Sequence, residues 1–345
     1  MARTVLLLAA FVLAACGEPG RPKQTISGSA FGTEYHVTVV DVPAERVDRL
    51  SESIVAELLR FDDVFSTWNP ESELSRWNVA RPGTIAASTE LFDVLTRAQT
   101  LRDQTGGAFD PAVGPLVQLW NFGSRRQRSA VNAPSDAAIV EAVESMDGWS
   151  VADGCHVVKS HPATELDLSA MAKGTAVDRV GDLLRREGVT DYLVEIGGEV
   201  LAAGERPQGG PWRLQITNPQ TNGPLRIVRL SGRAMATSGD YRNWQQVGGE
   251  RVSHTIDPRT GRPSASRVAS ATVVAPTCEW ADAVATAMMV LGVDEGIAWA
   301  EANDAAVLLV SRTGSGELTS RESTAFAALA TPSDPAPMNA RRSSD

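Results

Sequence analysis

Two periodicities are interleaved along this chain without strict strand–helix alternation, and that arrangement constrains its fold more than any other feature. Thr25 to Val40 alternates and carries the β-branched run His36-Val37-Thr38-Val39-Val40, which reads as a strand following a Gly-rich turn. Val47, Leu50, Ile54, Leu58 and Phe61 then recur at helical spacing, as do Leu91, Leu95, Ala98 and Leu101. Glu165–Leu168 reads as a short strand running into a helix from about Lys173 to Arg186, and Tyr192–Ile196 as a strand stopped by Gly197-Gly198. Strands over Trp212–Ile216, Ile227–Leu230, Ala271–Val274 and Ala306–Ser311 accompany helices over Glu279–Leu291 and Glu295–Asn303. The mixture predicts an α+β fold.

The N-terminus adds a compartment. A basic start at Arg3, an apolar run from Val5 to Val12 and Leu13-Ala14-Ala15-Cys16 predict a lipoprotein signal over 1–15, cleaved before a lipidated Cys16. The run is shorter than the ~20 residues of a bilayer crossing. The expected product is a membrane-anchored lipoprotein facing the periplasm or the cell exterior, with a tether over 16–24, a globular region over 25–330 and a flexible tail over 331–345. About 330 residues are enough for a sizeable core. A net charge of −10 argues against nucleic acid as a partner, since no basic stripe replaces phosphate counterions. An anionic ligand therefore needs local donors or a metal. Cys155 and Cys278 alone do not indicate a disulfide framework.

The chain contains no G-x-G-x-x-G or Walker A loop and no His/Cys cluster at zinc spacing. Asp282 and Thr286 stand four apart on one predicted helix, so a carboxylate and a hydroxyl project from one face as hard oxygen ligands suited to Mg²⁺ or Ca²⁺. In isolation, an Asp favoured by the helix dipole and a Thr bonded to its own backbone explain the pair better. Asp167 through Gly174 places a carboxylate before a lysine, Lys173, at a helix start where an anion would make sense of the charge; a solvated lysine is the plain alternative. Gly106-Gly107-Ala108-Phe109-Asp110-Pro111 is a turn whose backbone can approach a ligand. Thr237–Tyr241 and His254–Gly261 form a third polar group, with His254, in what reads as a strand, suited to proton transfer near neutral pH.

Taken together, these segments resemble the FAD:protein FMN transferase family (ApbE, also described as thiamine-biosynthesis lipoproteins) from about Ser27 to Leu329. The carrying motifs are Gly28–Thr33, Ser66-Thr67-Trp68 with Ser72-Glu73-Leu74-Ser75, Gly107–Pro111, Asp167–Gly174, Thr237–Asp240, His254–Gly261 and Ala281 through Thr286. The resemblance implies Mg²⁺ held by the carbonyl of Ala170 with Asp282 and Thr286. It implies FAD contacts from Phe31, Trp68, Ala108, Phe109, Asp110, Asp167, Lys173 and Ile256, and a catalytic role for His254. Phe31, Trp68 and Ala112 stand where Met, Tyr and Thr are common in the family. The implied reaction moves FMN from FAD to a Thr or Ser of an acceptor protein with release of AMP. The implied acceptor is an extracytoplasmic domain of a redox membrane complex. An FAD diphosphatase and a non-catalytic flavin-binding lipoprotein are the competing readings, with Asp257 or Asp240 as alternative bases.

Overall fold

The computed structural model describes residues 20–125, 132–240, 244–247 and 250–329. Residues 1–15, expected as a signal, Cys16, and residues 331–345, expected as a tail, lie outside the described residues. β1 (Lys23–Ala30) and β2 (Thr33–Val40) form a hairpin, so the strand expected over Thr25–Val40 is two. Phe31 (φ 53°) and Gly32 (φ 73°) both take the left-handed conformation that a two-residue turn requires. α1 (Ala44–Phe65) buries Leu50, Ile54, Leu58, Phe61 and Phe65, as its periodicity predicts. α2 (Glu73–Val79), β3 (Gly83–Ala86) and α3 (Thr89–Gln104) follow. A 3₁₀ turn at Pro111–Val113 leads into α4 (Gly114–Leu119), and α5 (Asp136–Met146) precedes β4 (Trp149–Ala152) and β5 (His156–Lys159). These strands make a small antiparallel sheet in the order β3-β5-β4.

Glu165–Leu168, expected as a strand, joins no sheet among the described residues. Its backbone bonds elsewhere: Leu166 N–H donates to Asn78 Oδ1 at 2.7 Å, Asn78 Nδ2 donates to Leu166 O at 2.8 Å, and Asp167 N–H donates to Pro111 O at 2.6 Å. A side chain and a loop replace the neighbouring strand. α6 (Ser169–Arg186) begins at Ser169, which puts Lys173 in its second turn and not at its start.

The second half is built of β6 (Tyr192–Ile196), β7 (Glu199–Ala203), β8 (Trp212–Thr217), β9 (Pro224–Leu230) and β10 (Arg233–Gly239). Two short ribbons follow, β11 (Trp244–Val247) with β12 (Glu250–Ser253) and β13 (Ile256–Asp257) with β14 (Arg262–Pro263). His254 lies in a bend between them, outside any strand, where Thr255 N–H donates to Ser253 Oγ at 3.2 Å and turns the chain. β15 (Val268–Ala275), α7 (Cys278–Ala302), β16 (Ala306–Arg312), β17 (Leu318–Glu322) and α8 (Thr324–Ala327) complete the fold.

The main sheet is antiparallel throughout, in the order β1-β2-β6-β7-β10-β15-β16-β17. Successive side chains point to opposite faces. Val37, Val39, Ala234, Ala236, Ala271 and Val273 thus join the core under α1, α6 and α7. Val40, Met235, Ala269 and Val274 join the core covered by β8, β9 and α8. Every residue of β15 is buried, as expected of a strand covered on both faces. α7 is apolar nearly all round because it is a core helix, and Gly292 (φ 79°) breaks it between the two helical segments read from the sequence. The fold is α+β.

Candidate active site

The loop after α1 is shaped by serines. Ser66 Oγ accepts from the N–H groups of Trp68 (3.2 Å) and Asn69 (3.0 Å), while Ser72 Oγ and Ser75 Oγ donate to Ser66 O at 2.5 and 2.9 Å. Ser72 also caps α2 by accepting from Ser75 N–H at 3.0 Å. These bonds satisfy a turn that leaves Trp68 59 % exposed. The Gly106–Pro111 turn is fixed likewise. Thr105 Oγ accepts from Phe109 N–H at 3.1 Å, and Asp110 Oδ1 accepts from Ala112 N–H at 2.8 Å while Arg102 Nε stands 2.6 Å from Asp110 Oδ2. Burial pushes the Asp110 carboxyl up, and the Ala112 amide and Arg102 pull against it.

Both turns border a cleft of about 750 Å³, in the range of ligand pockets. Trp68, Ala108, Phe109, Asp110, Asp167, Ala170, Lys173, His254, Ile256, Asp282 and Thr286 all line it. Phe31 is not among the lining residues; it packs edge-on against Phe61, with ring centroids 5.2 Å apart, because its turn folds over the end of α1. Thr237, Ser238, Asn121, Phe122 and Glu199 line the cleft as well. His254 faces Phe122 edge-on at 6.4 Å.

The charged heart of the cleft comes from three elements. Asp282 on α7 is 2 % exposed, and its Oδ2 accepts from Gly174 N–H at 3.0 Å. Lys173 Nζ on α6 lies 3.5 Å from Asp282 Oδ2 and 3.4 Å from Oε1 of Glu199 at the start of β7. Burial raises the Asp282 carboxyl, and Lys173 opposes the shift. Burial likewise pushes the Glu199 carboxyl up, and Lys173 pulls against the shift. For Lys173 itself burial disfavours the charge, but Asp282 and Glu199 outweigh burial and raise its pKa. Thr286 Oγ lies 3.2 Å from Ser238 Oγ.

The register between α6 and α7 is set at their contact. Asp178 accepts from the N–H groups of Cys278 (2.8 Å) and Glu279 (2.9 Å), which caps α7 from the side. Thr175 Oγ donates to Glu279 Oε2 at 3.0 Å. A Cβ on Gly174 would stand 2.3 Å from Cys278 O, so only glycine permits this approach. One consequence concerns the Ala170 carbonyl. In an ideal helix the Gly174 N–H points at that oxygen, and its engagement with Asp282 weakens the claim on it.

Asp282 carboxylate, Thr286 hydroxyl and Ala170 carbonyl form a hard-oxygen set that fits a magnesium-like ion. Among the described residues no three His, Cys, Asp or Glu side chains stand together as a metal cage. The two alternative bases are engaged elsewhere. Asp240 is gripped by the Arg312 guanidinium at 2.6 and 3.1 Å, and Asp257 by Arg259 at 3.0 and 3.1 Å; neither lines the cleft.

Glu199 escapes the sequence reading, although a glutamate opening the otherwise apolar strand Glu199-Val200-Leu201-Ala202-Ala203 is a visible anomaly. Asn78 and Asp178 carry no comparable local signal.

Residues 31–309 match the model of the ApbE family. The chain is 37% identical over 316 residues to an FAD:protein FMN transferase of Vibrio cholerae, covering 90% of this chain and 94% of that protein. It is 35% identical over 326 residues to an FAD:protein FMN transferase of Salmonella typhimurium, covering 91% and 93%. Among solved structures, the flavin transferase ApbE from Vibrio cholerae superposes with a TM-score of 0.82 at 36% identity, over 90% of this chain and 100% of that one. The apo flavinyl transferase ApbE of Pseudomonas stutzeri gives 0.81 at 35% identity, over 90% and 97%.

Proposed function

This chain belongs to the ApbE family, and from that premise we propose that it moves the FMN half of FAD onto a Ser or Thr hydroxyl of an acceptor protein, with Mg²⁺ bound and AMP released. It is an FAD:protein FMN transferase. The observation that carries the finer reading is the joining, in one cleft, of the Lys173–Asp282–Glu199 charge cluster with His254.

The acceptor oxygen attacks the FMN-side phosphorus, a new P–O bond forms, and the anhydride bond to the AMP phosphate breaks with its electron pair leaving on AMP. Lys173 faces the diphosphate and offsets its charge. Asp282, Thr286 and the Ala170 carbonyl would hold the divalent ion, which would neutralise charge on the phosphate oxygens. His254 takes the hydroxyl proton, since an alcohol is a weak nucleophile at neutral pH. Trp68, Phe109, Ile256 and Phe122 offer apolar and aromatic surface to flavin and adenine rings.

Resemblance to the family supports an extracytoplasmic domain of a redox membrane complex as the acceptor, and the lipobox Leu13-Ala14-Ala15-Cys16 supports a lipid anchor on Cys16. The test follows three products together: acceptor mass, free FMN and AMP, with FAD and Mg²⁺ present. Equal amounts of AMP and acceptor-bound FMN are expected. Free FMN without labelled acceptor would make the protein a diphosphatase, and intact FAD a carrier.

A further inference from the structure

One group in the cleft is left over by this chemistry. Glu199 is 3 % exposed, one carboxylate oxygen meets Lys173, and the other, Oε2, is buried with no hydrogen-bond partner among the described residues. A buried carboxylate with an unsatisfied oxygen costs stability, so packing alone gives no reason for a glutamate here.

We propose that Glu199 is a positioning residue that holds the Lys173 ammonium on the diphosphate when Asp282 gives its charge to the divalent ion. This rests on the assignment of Asp282 to the metal. In the metal-free arrangement Lys173 stands almost midway between two buried anions, 3.5 Å from Asp282 and 3.4 Å from Glu199. A cation on Asp282 draws that carboxylate's lone pairs away from the ammonium. Lysine is a point charge on a flexible four-carbon stem, and a single remaining anion decides where it points. Glu199, fixed at the first residue of β7 behind the Gly197-Gly198 turn, is that anion.

The sign of its effect on FAD affinity distinguishes this role from plain electrostatics. A negative charge beside a diphosphate repels it, so removing the charge should tighten FAD binding unless the carboxylate acts through Lys173. The experiment measures FAD dissociation constants by flavin fluorescence in the Mg²⁺-loaded protein without acceptor. The proteins are the wild type, Glu199→Gln, Lys173→Met and the double variant. Glu199→Gln is expected to weaken FAD binding about tenfold, and to leave it unchanged or tighter in the Lys173→Met background. Binding by Glu199→Gln as tight as wild type, or equal weakening in both backgrounds, overturns the proposal. Glu199→Asp, which keeps the charge one methylene short, is measured in the same two backgrounds. A roughly threefold loss with Lys173 and none without it is expected, and equal losses overturn the proposal as well. FAD affinity of the wild type that ignores Mg²⁺ removes the metal assignment instead, so the two failures are separable.

Discussion

Gly174→Ala separates the stability of this protein from its activity. The added methyl would stand 2.3 Å from Cys278 O, 2.6 Å from Cys278 C and 2.8 Å from Glu279 N, all backbone atoms, whereas ordinary contact begins at 3.4 Å. α6 and α7 must therefore part by about 1 Å, since close-packed backbone cannot give way as a side-chain tip does. Overpacking of this kind costs about 1–3 kcal/mol, and the better helix propensity of alanine returns about 1 kcal/mol. The net loss of stability is thus at most about 2 kcal/mol, a few degrees in Tm. Activity should suffer far more. The same separation breaks the Gly174 N–H bond to Asp282 and displaces Asp282 and Thr286 from Lys173, and a 1 Å misplacement costs about 10²-fold in rate. The assay pairs thermal melts with FMN transfer across a Mg²⁺ titration. A folded Gly174→Ala protein with wild-type turnover at wild-type Mg²⁺ would refute the idea that the α6–α7 contact sets the site.

Asp282→Ala should retain the fold and lose about 10²–10³-fold in transfer, the scale for one electrostatic stabiliser of a transition state. Wild-type turnover of that variant without added metal contradicts the assignment. Asn78→Ala strands the Leu166 N–H and C=O at about 1–3 kcal/mol each. It should lower Tm and weaken FAD binding through Asp167, which equilibrium titration reads directly; unchanged affinity counts against that loop. Burial raises the Asp178 carboxyl to about 6, more than its two bonds to the α7 amides lower it. A folded pKa above the unfolded one gives stability that is complete below about pH 4 and lost as pH rises through about 6, up to about 3 kcal/mol. Urea melts of Asp178→Asn should lack this part of the wild-type slope, and parallel curves for the two proteins would oppose it. Cys16→Ser should release the protein from membranes, read by fractionation and intact mass; a variant that stays bound at native mass opposes lipidation.

What the sequence made legible was local. The spacing of Leu50, Ile54, Leu58 and Phe61 located α1, and Asp282 and Thr286 could be placed on one helical face, because both patterns repeat within a single element. Ser72, Ser88 and Ser135 each cap a helix by accepting the N–H three residues on, a signal that marks the starts of α2, α3 and α5. Glu165–Leu168 has the composition of a strand, yet its partner is the side chain of Asn78, far away in sequence, and no periodicity reveals that. Glu199 and Asp178 take their meaning from Lys173 on another element and from the first turn of α7. Resemblance points to the site residues, and the fold brings Trp68, Ala108, Phe109, Asp110, Asp167, Ala170, Lys173, His254, Ile256, Asp282 and Thr286 to one cleft.

The most direct measurement takes His254→Ala with FAD, Mg²⁺ and acceptor, and reads FAD affinity and acceptor labelling in the same samples. His254 lines the cleft without belonging to the Lys173–Asp282–Glu199 cluster, and both rival carboxylates are held by arginines. FAD affinity should stay within a few-fold of wild type while FMN transfer falls by about 10²–10⁴, the range for losing a general base. Wild-type transfer by His254→Ala would contradict the account.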